Sequence, residues 1–545
     1  MTAADLPFRR SLPRQALQIA VLAVALLLLG AALYGRIMGF DLRRDEFMFV
    51  PPAATLGDWP LYSGQFYNHV PYSAWVFRAV HLALPGLDLL TAARLTVFAG
   101  WLLLLGAAFW TGLRLAGSAL AGVFAAAIFL GSETLLSQAG MAATNNLLPL
   151  PFVLLGLALF AAGHVGGRSP FGPYVLAGLC LSVAAGMKAS AIAFVPAVVV
   201  ACFLLPRAVP LGARARLTAL PVALGGLLGA IPLFWLALTE PTFFDHLLRY
   251  HSGPHIAFWQ ANAASEPGLA MGLPAKVQLA QTVWLAGGAI LGLFVAAIGW
   301  TARPGLAGPA RSDEAARTMQ AAWVVGAATL TAAALAFMPT PAFPQYFVPP
   351  LAGLPVLAAL AIRALPPDLR PAVLRALPAA IVLMGAVALP RLATGLADLR
   401  HPDRLTPARL DRGADALAGL VAPRDGTAPG PVATLSPLYP LQAGLPVYAE
   451  FATGPFAWRV AGHIDPGLRA AYVMATPQDL TDLFAARPPA AILTGFDPML
   501  ELPLEDWARA HGYRPQAISE ITDRYGTGTL WLPGGAIADP TGGTP

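Results

Sequence analysis

Apolar runs of roughly 20 residues recur along this chain between residues 15 and 392, separated by short polar breaks. A run of that length crosses the hydrocarbon core of a bilayer as an α-helix. The pattern predicts about eleven membrane helices, over 15–36, 91–115, 118–135, 146–164, 172–187, 189–206, 216–238, 276–300, 319–339, 346–364 and 373–392. The fifth and sixth are short, and residues 172–206 can also be drawn as one helix, which would invert everything after it. One stretch, 37–90, is too polar to span. It carries Pro51, Pro52, Pro60 and Pro71 among many aromatics, and it predicts amphipathic helices lying at the membrane interface.

After about residue 393 the pattern changes. Short β-like runs appear at Pro431–Leu435, Pro446–Ala449, Ala490–Thr494 and Thr529–Leu532, with helical stretches near 477–487 and 503–511. Alternating strands and helices predict a small α/β domain. The predicted organisation is a transmembrane domain over 1–392 that includes the large loop 37–90, an α/β domain over 393–533, and a disordered Gly- and Pro-rich tail over 534–545. No internal repeat is visible, so the inverted-repeat signature of many transporters is missing.

Composition agrees. The chain is 57% hydrophobic and 12% charged, with a mean hydropathy of +0.63, whereas soluble domains carry about 25% charged residues. The fold class read from the sequence is therefore a polytopic all-α membrane protein with a C-terminal α/β domain. The net charge of +5 comes from arginine, because Lys188 and Lys276 are the only lysines. No basic face is clustered as nucleic-acid binding requires. Cys180 and Cys202 sit inside apolar runs and read as small core residues. Arg9, Arg10 and Arg14 precede an apolar run longer than a signal-peptide core, which predicts an uncleaved first helix with a cytoplasmic N-terminus.

Arginine placement then assigns sides. With the N-terminus inside, Arg114, Arg168, Arg207, Arg214, Arg216, Arg303, Arg311, Arg317, Arg363, Arg370 and Arg375 fall in cytoplasmic loops, and the loops 136–145 and 340–345 hold no Lys or Arg. This follows the positive-inside rule. It puts 37–90, 239–275 and everything after 393 on the outer face.

Polar groups gather on that face. They are Asp41, Asp45, Glu46, Asp58, Asn68 and His69, then Glu133, Gln138, Asn145 and Asn146, then Lys188 at a helix turn, then Glu240, Asp245, His246, Arg249, His251 and His255, then Gln345 and Tyr346. Carboxylates beside the outer end of a membrane helix need water, a cation or a reaction. A carboxylate can take the proton of an acceptor hydroxyl while nearby cations hold a leaving phosphate. A zinc hydrolase site is a weaker reading, because Gly253-Pro254 interrupts the histidine series.

Five segments together resemble the polytopic GT-C glycosyltransferases, in particular the bacterial branch similar to protein O-mannosyltransferases and to the aminoarabinose transferases that modify lipid A. They are Asp45-Glu46-Phe47, Tyr67-Asn68-His69-Val70-Pro71-Tyr72-Ser73-Ala74-Trp75, Gly186-Met187-Lys188, Phe243–His251 and Pro344-Gln345-Tyr346-Phe347-Val348-Pro349-Pro350. They cover about residues 1–365. Val70 stands where the family has the first proline of a pair, and Ala143-Thr144-Asn145-Asn146 lacks the Arg or Asp often found in that loop.

The resemblance implies a polyprenyl-phosphate-linked sugar donor and an inverting single displacement. It implies a lipid, glycan or protein acceptor, and sometimes a divalent metal, Mg or Mn. Localisation would be the bacterial inner membrane, among membrane lipids, with the active site and the C-terminal domain periplasmic. On motif position, Asp45 is the expected general base and Glu46 its helper or a metal ligand. His69, Lys188, Arg249 and His251 are expected at the donor phosphate, and Asn68, Asn145 and Tyr346 at the acceptor or behind the first layer. Blander readings stand beside these: Arg43 and Arg44 as ion-pair partners of the acidic pair, Lys188 snorkelling to the interface, Tyr346 in an aromatic belt, and Glu450 and Arg459 as structural or as the rim of the acceptor entrance. The alternative function is a transporter or flippase of a lipid-linked saccharide. A membrane anchor for the C-terminal domain would leave the outer polar cluster without a purpose.

Overall fold

The computed structural model describes residues 12–166, 171–205, 209–264, 268–301, 313–422 and 428–534. Arg9, Arg10, Arg168, Arg207, Arg303, Arg311 and the predicted tail from residue 535 lie outside them. Each predicted apolar run contains helix, though not always over its whole length. Among the described residues, six helices are long and apolar enough to cross a membrane, or seven if a bent pair counts as one span: Gln15–Gly39, Leu89–Ala116, Leu211–Thr239, Asp313–Leu335, Pro344–Ala364 and Arg370–Asp398. Their outward faces carry Leu22, Leu27, Leu228, Leu238 and Leu330, all exposed, as a lipid solvent allows.

The expected count of eleven full spans is not reached on those criteria. Ala119–Leu130, Leu150–Gly166, Phe171–Met187 and Ala189–Leu204 are apolar but shorter. The expected helix 276–300 is two pieces, Leu273–Trp284 and Gly288–Thr301, bent by 81°. The bend has a local cause. Gly287 adopts φ 61°, its Cβ would fall 1.9 Å from the Gly131 carbonyl oxygen, and Gly288 donates its N–H to that same oxygen at 2.9 Å. Residues 172–206 are likewise not one helix. The backbone at Lys188 is extended (φ −149°, ψ 118°), and a 3-10 turn Ala189–Phe194 follows.

The loop 37–90 folds into short helices at Glu46–Phe49, Pro51–Thr55 and Tyr72–Ala83. Pro51 and Pro52 open the second, where missing N–H groups cost nothing. Phe47, Tyr62, Phe66, Tyr67 and Phe77 are all buried. These helices therefore form a packed layer, where amphipathic helices lying free at the interface were expected.

That layer is roofed by the C-terminal domain. Its four strands, β1 (Val432–Thr434), β2 (Ala491–Thr494), β3 (Tyr513–Thr522) and β4 (Thr527–Pro533), form a sheet in the order β1-β2-β4-β3. β1 and β2 are parallel and the other pairs antiparallel. The expected strand 446–449 gives only a single bridge, Val447 to Val432, before the chain turns into a 3-10 helix. β3 was not foreseen. It is an edge strand whose residues are mostly exposed, so it lacks the apolar alternation that signals a strand. Roof and loop layer are joined by Arg409 to Asp41 at 2.7 Å and by Thr406 donating to the Phe40 carbonyl at 2.8 Å.

Candidate active site

Where the chain leaves its first helix, residues 43–46 form a tight turn, with Glu46 N–H donating to the Arg43 carbonyl at 2.9 Å. Glu46 points inward and is fully buried. Its Oε1 accepts from Arg94 Nε at 3.0 Å and from the Ala143 N–H at 2.9 Å. Its Oε2 accepts from Arg94 Nη2 at 2.9 Å and from the Arg43 N–H at 3.0 Å. Both oxygens are saturated. Asp45, one residue earlier, turns the other way. It makes no cap bond to its helix, and it lines a cavity of about 300 Å³ between the loop layer, the helix ends beside it and the C-terminal domain.

Every predicted polar loop supplies a wall. Asn68 and His69 come from the loop layer, Gln138, Asn145 and Asn146 from the stretch before Leu150–Gly166, and Lys188 from the break after Met187. His251, His255 and Trp259 come from the 239–275 segment, and Gln345 and Tyr346 from the 3-10 turn Pro344–Tyr346. The C-terminal domain adds Phe456, Arg459 and Tyr525. Asp45 is the only carboxylate among these lining residues.

The walls are cross-braced. Lys188 Nζ donates to Asn146 Oδ1 at 2.6 Å and lies 5.9 Å from the Tyr346 ring. Asn145 Nδ2 holds the Met187 carbonyl at 3.3 Å, fixing the turn that carries Lys188. Gln138 Nε2 donates to Gln345 Oε1 at 3.2 Å. His69 stacks on Phe49 with ring centroids 4.7 Å apart. His251 Nε2 lies 2.9 Å from the Asn68 carbonyl oxygen, and Asn68 Oδ1 is buried without a partner.

Enclosure shapes the ionisation. Loss of water raises the Asp45 pKa above the ordinary carboxylate value; Glu46 adds to this, while Arg43, Arg459 and Lys188 oppose it. Burial, helped by His251, Lys188 and His255, holds His69 well below the usual histidine value. Burial lowers His251 as well, and burial with Arg459 and His251 beside it takes His255 down to about 3. The three rings are therefore neutral near pH 7, so each offers one donor and one acceptor.

Of the residues expected at the site, the cavity gathers Asp45, Asn68, His69, Asn145, Lys188, His251 and Tyr346. Two fall elsewhere. Glu46 is locked to Arg94, and Arg249 is exposed and paired with Asp245 at 3.0 Å. The pairing of Arg44 with the acidic motif is also replaced. Arg44 reaches Asp497 at 3.1 Å and the Phe496 carbonyl at 3.1 Å, and packs 4.5 Å from the Tyr525 ring. Arg459 lines the cavity, whereas Glu450 is paired with Arg487 at 2.8 Å. Arg94 was missed, although a lone arginine inside the run 91–115 was a visible signal.

A divalent metal of the Mg or Mn type needs several oxygen ligands, with carboxylates among them. Among the described residues no group of three His, Cys, Asp or Glu side chains is placed to hold a metal. Glu46, the expected ligand, has both oxygens occupied. The residues present do not fit such an ion.

No known protein-family profile matches the chain, and no curated protein sequence matches it. Solved structures do. ArnT from Cupriavidus metallidurans, bound to undecaprenyl phosphate, aligns with a TM-score of 0.59 at 18% identity, covering 97% of this chain and 99% of that one. The apo form of the same protein aligns with a TM-score of 0.59 at 18% identity, over 97% and 100%. The archaeal oligosaccharyltransferase AglB from Archaeoglobus fulgidus aligns at 0.45 and 10% identity, covering 92% of this chain and 74% of that one. Over nearly its whole length, this chain has the fold of the ArnT structures, with apolar helices long enough to cross a membrane and a C-terminal α/β domain.

Proposed function

We propose that this protein is a membrane glycosyltransferase that moves a sugar from a polyprenyl-phosphate donor to a hydroxyl acceptor, with Asp45 as general base. The observation that carries the reading is the cavity itself. One carboxylate with a raised pKa faces Arg43, Lys188, Arg459 and neutral histidines within a single enclosed space. The neighbour with the shared fold, ArnT, is seen with undecaprenyl phosphate bound, which supports a lipid phosphate as the donor's carrier.

The chemistry follows from that arrangement. The acceptor oxygen attacks the anomeric carbon as its proton passes to Asp45. The bond from that carbon to the phosphate oxygen breaks on the opposite side, which inverts the configuration. The phosphate leaves on its lipid with one more negative charge than the diester carried. Lys188 and Arg43 balance that charge, an interaction that grows as the bond breaks and so lowers the barrier. Asn146 and Tyr346 keep the Lys188 ammonium aimed into the cavity, and His69 and Asn68 offer neutral hydrogen bonds to sugar or acceptor. The sidedness read from the arginines supports a reaction on the outer, periplasmic face of a bacterial inner membrane.

The test is Asp45→Asn in membranes supplied with a polyprenyl-phosphate sugar and extracted acceptors. Sugar transfer at the wild-type rate would remove Asp45 as base. Translocation of the lipid-linked sugar in proteoliposomes without cleavage would replace transfer by transport.

A further inference from the structure

Arg459 belongs to the C-terminal domain, yet it is built into the cavity wall. It sits on the helix Pro455–Ala461, whose start is seated against the acidic motif. Gly454 precedes that helix at φ 60°, and a Cβ there would fall 2.7 Å from the Leu435 carbonyl oxygen and 3.1 Å from Phe47 Cβ. Tyr250 holds the same helix from the membrane side, donating to the Phe456 carbonyl at 3.2 Å. The guanidinium is thereby fixed among three rings, 4.7 Å from Phe456, 4.9 Å from Trp259 and 5.6 Å from Phe258.

Rings hold a cation without neutralising it. Of the five other ring-stacked arginines among the described residues, three also hold a carboxylate, Arg44 with Asp497, Arg487 with Glu450 and Arg509 with Glu505, whereas Arg36 and Arg524 do not and lie outside the cavity. Arg459 forms no ion pair among the described residues. Its Nε is buried and has no hydrogen-bond partner. With Arg44 neutralised by Asp497, the cavity sets Arg43, Lys188 and Arg459 against Asp45 alone. A planar fork without a carboxylate, in a cavity with surplus positive charge, matches a phosphate group.

We propose that Arg459 binds the phosphate of the lipid-linked donor, so that the C-terminal domain completes the donor site. This assignment rests on the function proposed above. The experiment uses the full-length protein in nanodiscs, with undecaprenyl phosphate and the uncharged undecaprenol as probes. Wild type is expected to prefer the phosphate. R459Q is expected to bind undecaprenyl phosphate about tenfold more weakly, with undecaprenol binding unchanged and R459K in between. R459M, which keeps the apolar stem under the rings, carries the test if R459Q does not fold, and melting temperatures without lipid check each variant. In turnover, the KM for donor rises while that for acceptor stays. Wild-type affinity of both uncharged variants for undecaprenyl phosphate, or a rise in acceptor KM alone, overturns the assignment. A wild type that does not distinguish phosphate from alcohol overturns the functional reading itself.

Discussion

Glu46 and Arg94 meet as a two-pronged pair, Nε to Oε1 at 3.0 Å and Nη2 to Oε2 at 2.9 Å, with both side chains fully buried. The remaining prong of Arg94, Nη1, holds the carbonyls of Ile37 at 3.0 Å, Met38 at 3.3 Å and Phe40 at 2.6 Å. One guanidinium thus ties the end of the first helix to the acidic motif and to the spanning helix Leu89–Ala116. Glu46 extends the tie to Ala143. The turn is fixed from below, and Asp45 is left as its free carboxylate.

Breaking that pair from one side strands a buried charge. Arg94→Met or Glu46→Gln is expected to cost about 3–5 kcal/mol of stability, read as a lowered melting temperature in detergent. Arg94→Met combined with Glu46→Leu removes both charges and is expected to recover part of the loss. A single variant that melts with the wild type would show the pair to be dispensable.

Asp45→Asn is expected to behave in the opposite way, being inactive but more stable. As general base its loss costs about 10²–10⁴-fold in turnover. Its folded pKa is raised above the unfolded value, so the acid's contribution to stability is present below the unfolded pKa and lost as pH rises through the folded one. At pH 7 the buried charge therefore destabilises the fold. Thermal melts at pH 7 should place Asp45→Asn above wild type, and the gap should close as the pH approaches the ordinary carboxylate range.

Much of this was legible in the sequence. Membrane helices announce themselves because the bilayer forbids unpaired backbone, and the polar loops that the sequence grouped do meet around one cavity. Three things were not legible, for physical reasons. The partner of Glu46 is 48 residues away, and no periodicity links them. Arg44 was assigned to its neighbours in sequence, whereas Asp497 binds it from the C-terminal domain. Arg459 read as a structural residue because its place in the cavity depends on how that domain is seated over the loop layer.

That seating is open to test at Gly454. Any side chain there meets both positive φ and the contacts with the Leu435 carbonyl and Phe47. Gly454→Ala is expected to lower stability by about 1–3 kcal/mol and to reduce transfer further than that loss explains, because the helix bearing Arg459 shifts. Activity scaling only with the folded fraction, measured side by side with melting, would confine Gly454 to a structural role.

The pH profile separates the cavity's two classes of titrating group. Asp45 must be ionised to accept a proton, so kcat/KM is expected to fall as pH drops through its raised pKa, on an acid limb above the usual carboxylate value of about 3.9. His69 lies well below the usual histidine value and His255 at about 3, so neither adds a limb near the ordinary histidine value of about 6.5. Replacing His69 by Gln removes the neutral ring stacked on Phe49 and leaves a neutral hydrogen-bonding group in its place. It should lower kcat or raise KM while leaving the acid limb on Asp45. Asp45→Glu moves the base by one methylene and should shift the limb along with the rate. If the limb disappears in His69→Gln and survives in Asp45→Glu unchanged, the proton goes to the histidine, and the roles drawn for these two residues must be exchanged.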